Sequence, residues 1–266
     1  MHPIERLRYV ARSQGAPAEV LVSESAIALG AFRDDPAGMV AACRRIIDRH
    51  LTCGPLWWLC ATMLCSPESM ADGRRAADAL QDDPTGALLA SELPIDATVT
   101  VVGWPEQAAA ALRRRGDLEV LVVDSDGESD EVARQLGHLD VDAVALAGRN
   151  VAAAVQASQL VLVDALAVGP TSLLAPAGSA AAAGVAHAHG VPVWVVAGVG
   201  RLMPAAMFDA MVDRWSQGVD PLVAAEEVVP LAWADRIAGV GGVLDVGAAL
   251  GHTDCPVAPE LLRLAG

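Results

Sequence analysis

Apolar residues in the first part of the chain recur at helical spacing. In the segment MVAACRRIIDRHL, Cys43, Ile46 and Ile47 lie three or four residues apart and therefore share one face of a predicted helix. The next segment, PLWWLCATMLC, is apolar at almost every position, and Pro55 suits a helix start, which predicts a helix buried on most sides. A third helix is expected in the Arg- and Ala-rich segment that follows. Residues 1–93 are thus predicted to form a helical N-terminal domain.

From residue 94 the pattern changes to short apolar runs separated by helical segments. The runs ATVTVVG, LEVLVVD, VDAVALAG, LVLVDALAVG and VPVWVVAG are nearly continuous in small and branched apolar residues, as strands buried on both faces are. Strands that alternate with helices predict the α/β class. For residues 94–266 we expect a Rossmann-like, mainly parallel sheet with helices on both faces. Ligands bind such sheets at the carboxyl ends of the strands, near a reversal of strand order.

Breaks in the pattern at the predicted strand ends, and a helix start that follows one of them, supply candidate ligand-binding residues. These candidates are Gly103, Trp104, Asp124, Ser125, Asp126, Asp164, Gly169, Gly178, Ser179 and Arg201. The helix start at Gly178 and Ser179 offers backbone N–H groups to an anion, although Ser is also an ordinary helix cap. Arg201 is either an anion contact at a strand end or a plain surface arginine.

Asp164 is the most unusual of these candidates. Between Arg149 and Arg201 it is the only Asp, Glu, Lys or Arg. A lone carboxylate at the end of a buried strand is costly unless it is paired or hydrogen-bonded. Three roles are open from the sequence: a catalytic group, a ligand-binding group, or a structural acid that satisfies backbone donors in the next turn.

Composition narrows the function classes. The chain is 53% apolar and 19% charged, and its formal net charge is −15. That charge argues against nucleic acid and against an anionic membrane surface as partners. All 18 basic residues are Arg, which excludes chemistry that needs a Lys. The N-terminus lacks the apolar core of a signal peptide and no apolar run reaches transmembrane length, so we expect a cytoplasmic protein.

The sequence predicts no metal and no cofactor. The five Cys include no CxxC pair, and His187 and His189 are too close in sequence to share a helix face as metal ligands do. The acids from Asp124 to Glu131 could hold a divalent cation, but acids also favour the N-terminus of a helix. The glycines of AGVGRLMP lack the third glycine of a dinucleotide-binding motif.

One long segment has a characteristic order of elements. The run QLVLVDALAVGPTSLLAPAGSAAAAGVAHAHGVPVWVVAG contains an apolar strand, a turn, a short hairpin, a helix start and a helix that ends in His-Gly-x-Pro before the next strand. The ending HTDCPVAPELL adds Asp254, Pro259, Glu260 and Leu261. In both segments the chain resembles the family that unites the alpha, beta and delta subunits of eukaryotic translation initiation factor 2B with methylthioribose-1-phosphate isomerase and ribose-1,5-bisphosphate isomerase. The resemblance adds Asp254 to the ligand-binding candidates and implies a homodimer.

The resemblance also shows where this chain departs from the family's isomerases. They carry a Cys after the first strand, an Arg for phosphate after the second strand and an Asp in a Gly-Ala-Asp turn. Here Gly103 and Trp104 follow the first strand without a Cys, and an acid, Asp126, stands where the Arg is expected. Leu166 takes the place of the family's Asp, which leaves Asp164 two residues upstream.

Two functions of different class follow. The first is a non-catalytic homologue of the factor 2B subunits that binds a small metabolite, with sugar phosphates and nucleotides as candidates, and acts in regulation or assembly as a homodimer. The alternative is an aldose–ketose isomerase for a sugar 1-phosphate, with Asp164 as a displaced catalytic acid beside Asp124 or Asp126. The Lys-free, Ala-rich composition is typical of a high-GC bacterium, where eukaryotic exchange-factor partners are absent.

Overall fold

The structure is a computed structural model that describes Val10, residues 16–125 and residues 127–262. The α/β class predicted from the sequence is confirmed. Along the chain, helices come first and are followed by a mostly parallel seven-stranded sheet with its own helices. In the part of the chain that the structure describes, no helix is both long enough and apolar enough to cross a bilayer.

The chain clusters into two compact units. The helical unit comprises the described residues up to Asp83, Val199–Val219 and the described residues from Thr253 onward. The sheet unit comprises Pro84–Gly198 and Asp220–His252. The domain division between residues 93 and 94 stays a prediction, because spatial clustering does not establish which segments fold independently.

Helices and strands alternate through most of the sheet unit. In chain order the described α-helices are α1 (Ala18–Leu29), α2 (Pro36–Arg49), α3 (Gly54–Cys65), α4 (Ser69–Gln81), α5 (Thr85–Glu92), α6 (Ala108–Leu112), α7 (Ser129–Gly137), α8 (Val151–Ala157), α9 (Ser179–His189), α10 (Ala205–Gly218), α11 (Val246–Leu250) and α12 (Pro259–Leu262). The strands are β1 (Thr98–Val102), β2 (Glu119–Val123), β3 (Asp142–Leu146), β4 (Leu160–Asp164), β5 (Ala167–Val168), β6 (Ser172–Pro176), β7 (Val193–Val196), β8 (Glu226–Pro230), β9 (Arg236–Gly239) and β10 (Gly242–Asp245).

Helix α3 lies at the centre of the helical unit. It is buried on nearly every side, as its almost uninterrupted apolar sequence predicts, and Trp57 and Leu59 are fully buried. The guanidinium of Arg214 lies 5.1 Å from the centre of the Trp57 ring and donates a hydrogen bond to the carbonyl oxygen of Leu261. Arg214 therefore holds α12 to the helical unit. Cys65, the last residue of α3, is exposed.

The order of strands in the large sheet is β10-β9-β7-β4-β1-β2-β3. Every neighbouring pair from β9 to β3 is parallel, and only the β9–β10 pair is antiparallel. The chain builds outward from β1 through β2 to β3, then returns to β4 and builds in the opposite direction. The strand order therefore reverses between β1 and β4, and the carboxyl ends of these two strands are where this kind of sheet binds ligands.

Helices cover both faces of this sheet. Val99 of β1 packs in one buried cluster with Leu112 of α6 and Leu136 of α7. Thr100 faces the opposite side, because successive side chains of a strand alternate. Its hydroxyl lies 2.7 Å from that of Ser158, which directly follows α8. Helix α9, which contacts β4 and β7, completes the helical cover of the sheet unit near β1.

Helix α6 is shorter than the segment EQAAAALRRRG predicts, because the chain beyond Leu112 turns to form an arginine clamp. The guanidinium of Arg115 donates two hydrogen bonds to the carboxylate of Asp117, at 2.8 and 2.6 Å. It also donates to the carbonyl oxygens of Ala90 and Leu93 at the end of α5. The Arg115 hydrogen bonds, and the N–H of Asp96, hold the pKa of Asp117 well below its usual range.

We predict that Asp117→Asn makes the protein less sensitive to acid. A carboxyl whose pKa is lower in the folded state contributes stability above its unfolded pKa, near 4, and loses that contribution as the pH falls. The stability of the wild type should therefore fall more steeply than that of the variant between about pH 5 and pH 2. Urea unfolding across this range measures the difference, with Asp209→Asn, an exposed acid of α10, as control. Parallel curves for the wild type and Asp117→Asn would contradict the clamp.

Candidate functional site

The carboxyl edge of the sheet brings three predicted residues together. Gly103 directly follows β1, and a Cβ atom at this position would lie 3.3 Å from the Cβ of Ser125. The Ser125 hydroxyl donates a hydrogen bond to the carbonyl oxygen of Ala177 at 2.8 Å. Gly178 has a φ of +94°, and a Cβ there would lie 3.2 Å from a methyl group of Val102. Gly103, Ser125 and Gly178 therefore form one continuous part of this edge.

The structure places the other glycine, aromatic and charged candidates differently. Trp104, next to Gly103, is 40% exposed, and Gly169 is buried between β5 and β6. Arg201 is buried and Asp254 is exposed, and both belong to the helical unit. Asp126 lies outside the described residues. The edge of the sheet is consequently described without these last three candidates.

Asp164 caps a helix. Its Oδ2 accepts a hydrogen bond from the backbone N–H of Gln107 at 2.6 Å, and its Oδ1 accepts one from Ala108 at 3.2 Å. These N–H groups are at the start of α6, where a helix has no internal acceptors for its first donors. The positive end of the helix also favours a carboxylate. The satisfied donors therefore lie in α6, and not in the Gly169–Pro170 turn that the sequence suggested.

Asp124 caps the next helix in the same way. Its Oδ1 accepts hydrogen bonds from the N–H groups of Gly127 at 2.9 Å and Ser129 at 3.1 Å, and Ser129 is the first residue of α7. This geometry supports the helix-terminus interpretation of the acids that follow β2. Among the described residues, no three His, Cys, Asp or Glu side chains are grouped so that they could hold a metal ion.

Glu227 caps α9, a role for which the sequence gave no signal. Gly178 precedes this helix and has no side chain with which to cap it. The N–H of Ala180 instead donates to Oε1 of Glu227 at 2.8 Å. Glu227 lies on β8, opposite Ala175 of β6. The helix start that the sequence predicted as an anion site, at Gly178 and Ser179, thus already has a carboxylate of the protein beside it.

Gln107 links the carboxyl ends of two strands, and sequence analysis missed it as well. Its Nε2 donates to the carbonyl oxygens of Ala165 at 3.1 Å and Val196 at 3.0 Å, which follow β4 and end β7. Its Oε1 accepts a hydrogen bond from the N–H of Gly198 at 2.6 Å. Both donors and the acceptor of this amide are therefore used within the sheet unit. Its one sequence signal was its place near the start of a predicted helix after a strand.

Three helices that begin along this edge, α6, α7 and α9, are therefore capped by internal carboxylates. The acids are Asp164, Asp124 and Glu227, and they come from three different segments of the sheet unit. A helix N-terminus is a common binding site for phosphate because its free N–H groups and its dipole favour negative charge. In this chain the same donors are already bonded to carboxylates, so a phosphate would have to displace an internal anion.

A Rossmann-like sheet unit of this topology, in a chain that also has this helical unit, defines the fold of initiation factor 2B subunits and methylthioribose-1-phosphate isomerases. The chain is similar to translation initiation factor 2B of Pyrococcus horikoshii, with a TM-score of 0.76 and 11% identity over 93% of this chain and 98% of that chain. It is similar to the beta subunit of factor 2B from Chaetomium thermophilum, with a TM-score of 0.72 and 15% identity over 97% and 91% of the two chains.

The same fold occurs in an isomerase. The chain is similar to 5-methylthioribose 1-phosphate isomerase of Pyrococcus horikoshii, with a TM-score of 0.63 and 15% identity over 94% of this chain and 87% of that chain. No protein-family model and no curated protein sequence matches the chain. The resemblance seen in the sequence is thus confirmed as a structural match at low identity, which shows the fold alone.

We predict that Asp164→Asn destabilises the protein. The amide keeps the size of the side chain, but its NH2 group would face one of the two backbone N–H donors. The expected loss is about 1–3 kcal/mol in the free energy of unfolding, measured with urea. Asp130→Asn is the matched control, because Asp130 is an exposed acid in the first turn of α7. Equal losses in the two variants would mean that Asp164 acts only through its charge.

We predict that Gln107→Met loosens the carboxyl ends of β4 and β7. The substitution removes three hydrogen bonds and leaves buried backbone groups without partners, so we expect a loss of about 2–4 kcal/mol. Hydrogen exchange provides the specific readout, because the amide of Gly198 should lose its protection. Gln156→Met, at an exposed position of α8, is the control. An unchanged exchange rate at Gly198 would show that the Gln107 bond does not persist in solution.

Proposed function

We propose that this protein is a non-catalytic regulatory or assembly protein with the factor 2B-type fold, which binds a small metabolite. The observation that carries this proposal is the set of internal carboxylates on α6, α7 and α9. Asp164, Asp124 and Glu227 accept hydrogen bonds from the backbone donors that a phosphate group would use. A site of this kind favours the absence of sugar-phosphate isomerisation.

The chemistry of an aldose–ketose isomerase supports this conclusion by contrast. Moving the carbonyl needs a base, an acid and a clamp for the phosphate. Both carboxylate oxygens of Asp164 accept backbone hydrogen bonds, so using it as a base would weaken the cap of α6. Leu166, at the position of the isomerases' Asp, has no group that can transfer a proton. A phosphate dianion would also approach a chain with a net charge of −15.

The ligand remains a small metabolite of a class that Arg201 can help to define. Arg201 is a buried guanidinium in the helical unit, and a guanidinium suits a carboxylate or a phosphate. Sugar phosphates and nucleotides therefore stay among the candidates, with their phosphate bound away from the three capped helix ends. A homodimer in the cytoplasm, without nucleic acid or membrane partners, completes the proposal.

The second candidate is the isomerase, and one observation favours it. Asp164 is half-buried at the carboxyl end of β4, beside β1, where the strand order reverses and where this kind of sheet places its ligands. Its position therefore suits catalysis better than its hydrogen bonds do.

We predict no ketose product from ribose 1,5-bisphosphate or methylthioribose 1-phosphate. The test incubates the wild type with each sugar and measures product by NMR, with the Pyrococcus horikoshii isomerase as the positive control for methylthioribose 1-phosphate. A thermal-shift screen of phosphorylated and unphosphorylated metabolites on the same sample reports binding, since a ligand at 100 times its Kd adds about 2.7 kcal/mol. Turnover of either sugar that disappears in a folded Asp164→Asn variant would overturn the proposal in favour of the isomerase.

A further inference from the structure

Open sheet edges expose unpaired N–H and C=O groups, and proteins usually protect them. In the described part of the chain, three of the four sheet edges carry such protection. Strand β5 has only 2 residues, and β8 carries two glutamates and ends at a proline. Strand β10 has 4 residues and is contacted by α5 and α11. The fourth edge is β3, at the other end of the large sheet.

Strand β3 lacks these protective features. Its sequence after Asp142 is Ala-Val-Ala-Leu, with no Lys, Pro or further acid, and none of its residues is fully buried. Val144 is 42% exposed. Ala143 packs toward the buried cluster that includes α7, so Val144 faces the other side of the sheet. An apolar strand with an open edge and an exposed central valine is suited to pair with another strand.

We propose that the outer edge of β3 pairs antiparallel with β3 of a second copy of this chain, with Val144 on the two-fold axis. This inference names a surface for the assembly role and the homodimer proposed above, and it rests on that part of the proposed function. The β3 edge is the strand's outer backbone together with Ala143, Val144 and Ala145. A symmetric contact requires that the same surface complement itself.

The strand meets this requirement. Centred on Val144, the pairing sets Ala143 opposite Ala145 of the second copy and Asp142 opposite its Leu146. No like charges then lie directly opposite each other, which would destabilise a strand pair. The exposed acids Asp140 and Asp142 precede the strand or begin it, whereas the exposed Arg149 follows it. Antiparallel pairing therefore brings the acidic end of one strand toward the basic end of the other.

The expected dimer is reversible. A pair of 5-residue strands buries little surface, and interfaces at the small end of the range, below about 1,200 Å², are usually weak. Helix α7 packs against β3 and adds to the contact from each copy. The dimer should therefore form with rising concentration and dissociate on dilution.

Sedimentation velocity of the full chain tests the surface. The wild type should shift toward twice the 27.4 kDa of one chain as its concentration rises. Val144→Lys places two ammonium groups at the two-fold axis and should stay at the mass of one chain at every concentration. Val240→Lys is the matched control, because Val240 is 44% exposed between β9 and β10. It should behave as the wild type does, and circular dichroism checks that both variants are folded.

Cross-linking gives a second readout that does not depend on disrupting the dimer. Opposite residues of an antiparallel pair have Cβ atoms about 4.5–5.5 Å apart, close to the separation that a disulfide needs. Val144→Cys, in a Cys65→Ser background that removes the exposed native thiol, should form a covalent dimer with copper-phenanthroline as oxidant. Val240→Cys in the same background should not.

The outcomes separate this inference from the proposed function. A wild type that dimerises while Val144→Lys also dimerises and Val144→Cys does not cross-link would overturn the β3 edge but keep the homodimer. A wild type that stays at the mass of one chain at every concentration would overturn both the edge and the homodimer. Neither result bears on the absence of isomerase activity, which the product assay decides.

Discussion

The structure of the sheet unit depends on hydrogen bonds between carboxylates and the first N–H groups of its helices. Where parallel strands end and helices begin, several backbone donors lack internal acceptors, and leaving them buried and unbonded is costly. Asp164, Asp124 and Glu227 satisfy these donors from β4, from the end of β2 and from β8. The same bonds place three negative charges where the fold offers sites for anions, which couples the stability of this edge to the loss of phosphate binding.

The sheet and its principal helices could be predicted because their signals are local. Buried parallel strands are nearly continuous apolar runs, and SDEVARQLG shows its helical face and becomes α7, Ser129–Gly137. The rule that ligands bind at strand ends also grouped Gly103, Ser125 and Gly178 correctly, since these residues are brought together at one edge. Here the sequence pattern and the topology carry the same information.

The bonds at that edge could not be predicted, because their partners are far apart in the sequence. Glu227 lies 47 residues from the N–H that it accepts, and Gln107 lies 91 residues from Gly198. Nothing in a run such as AAEEVVP distinguishes a capping glutamate from a solvated one. Asp164 was recognised as unusual, but its donors in α6 became visible only once β4 was beside β1. A chain can therefore keep this fold while the groups at its ligand edge are reassigned to structural roles.

Phosphate titration followed by amide NMR tests the central claim most directly. The amides of Gln107, Ser129 and Ala180 donate to the three carboxylates, so their resonances report any anion that competes for these positions. If internal carboxylates hold the helix ends, these resonances will not shift beyond an ionic-strength control as inorganic phosphate is added. A saturable shift confined to these amides would show that phosphate displaces the carboxylates, and it would contradict the account.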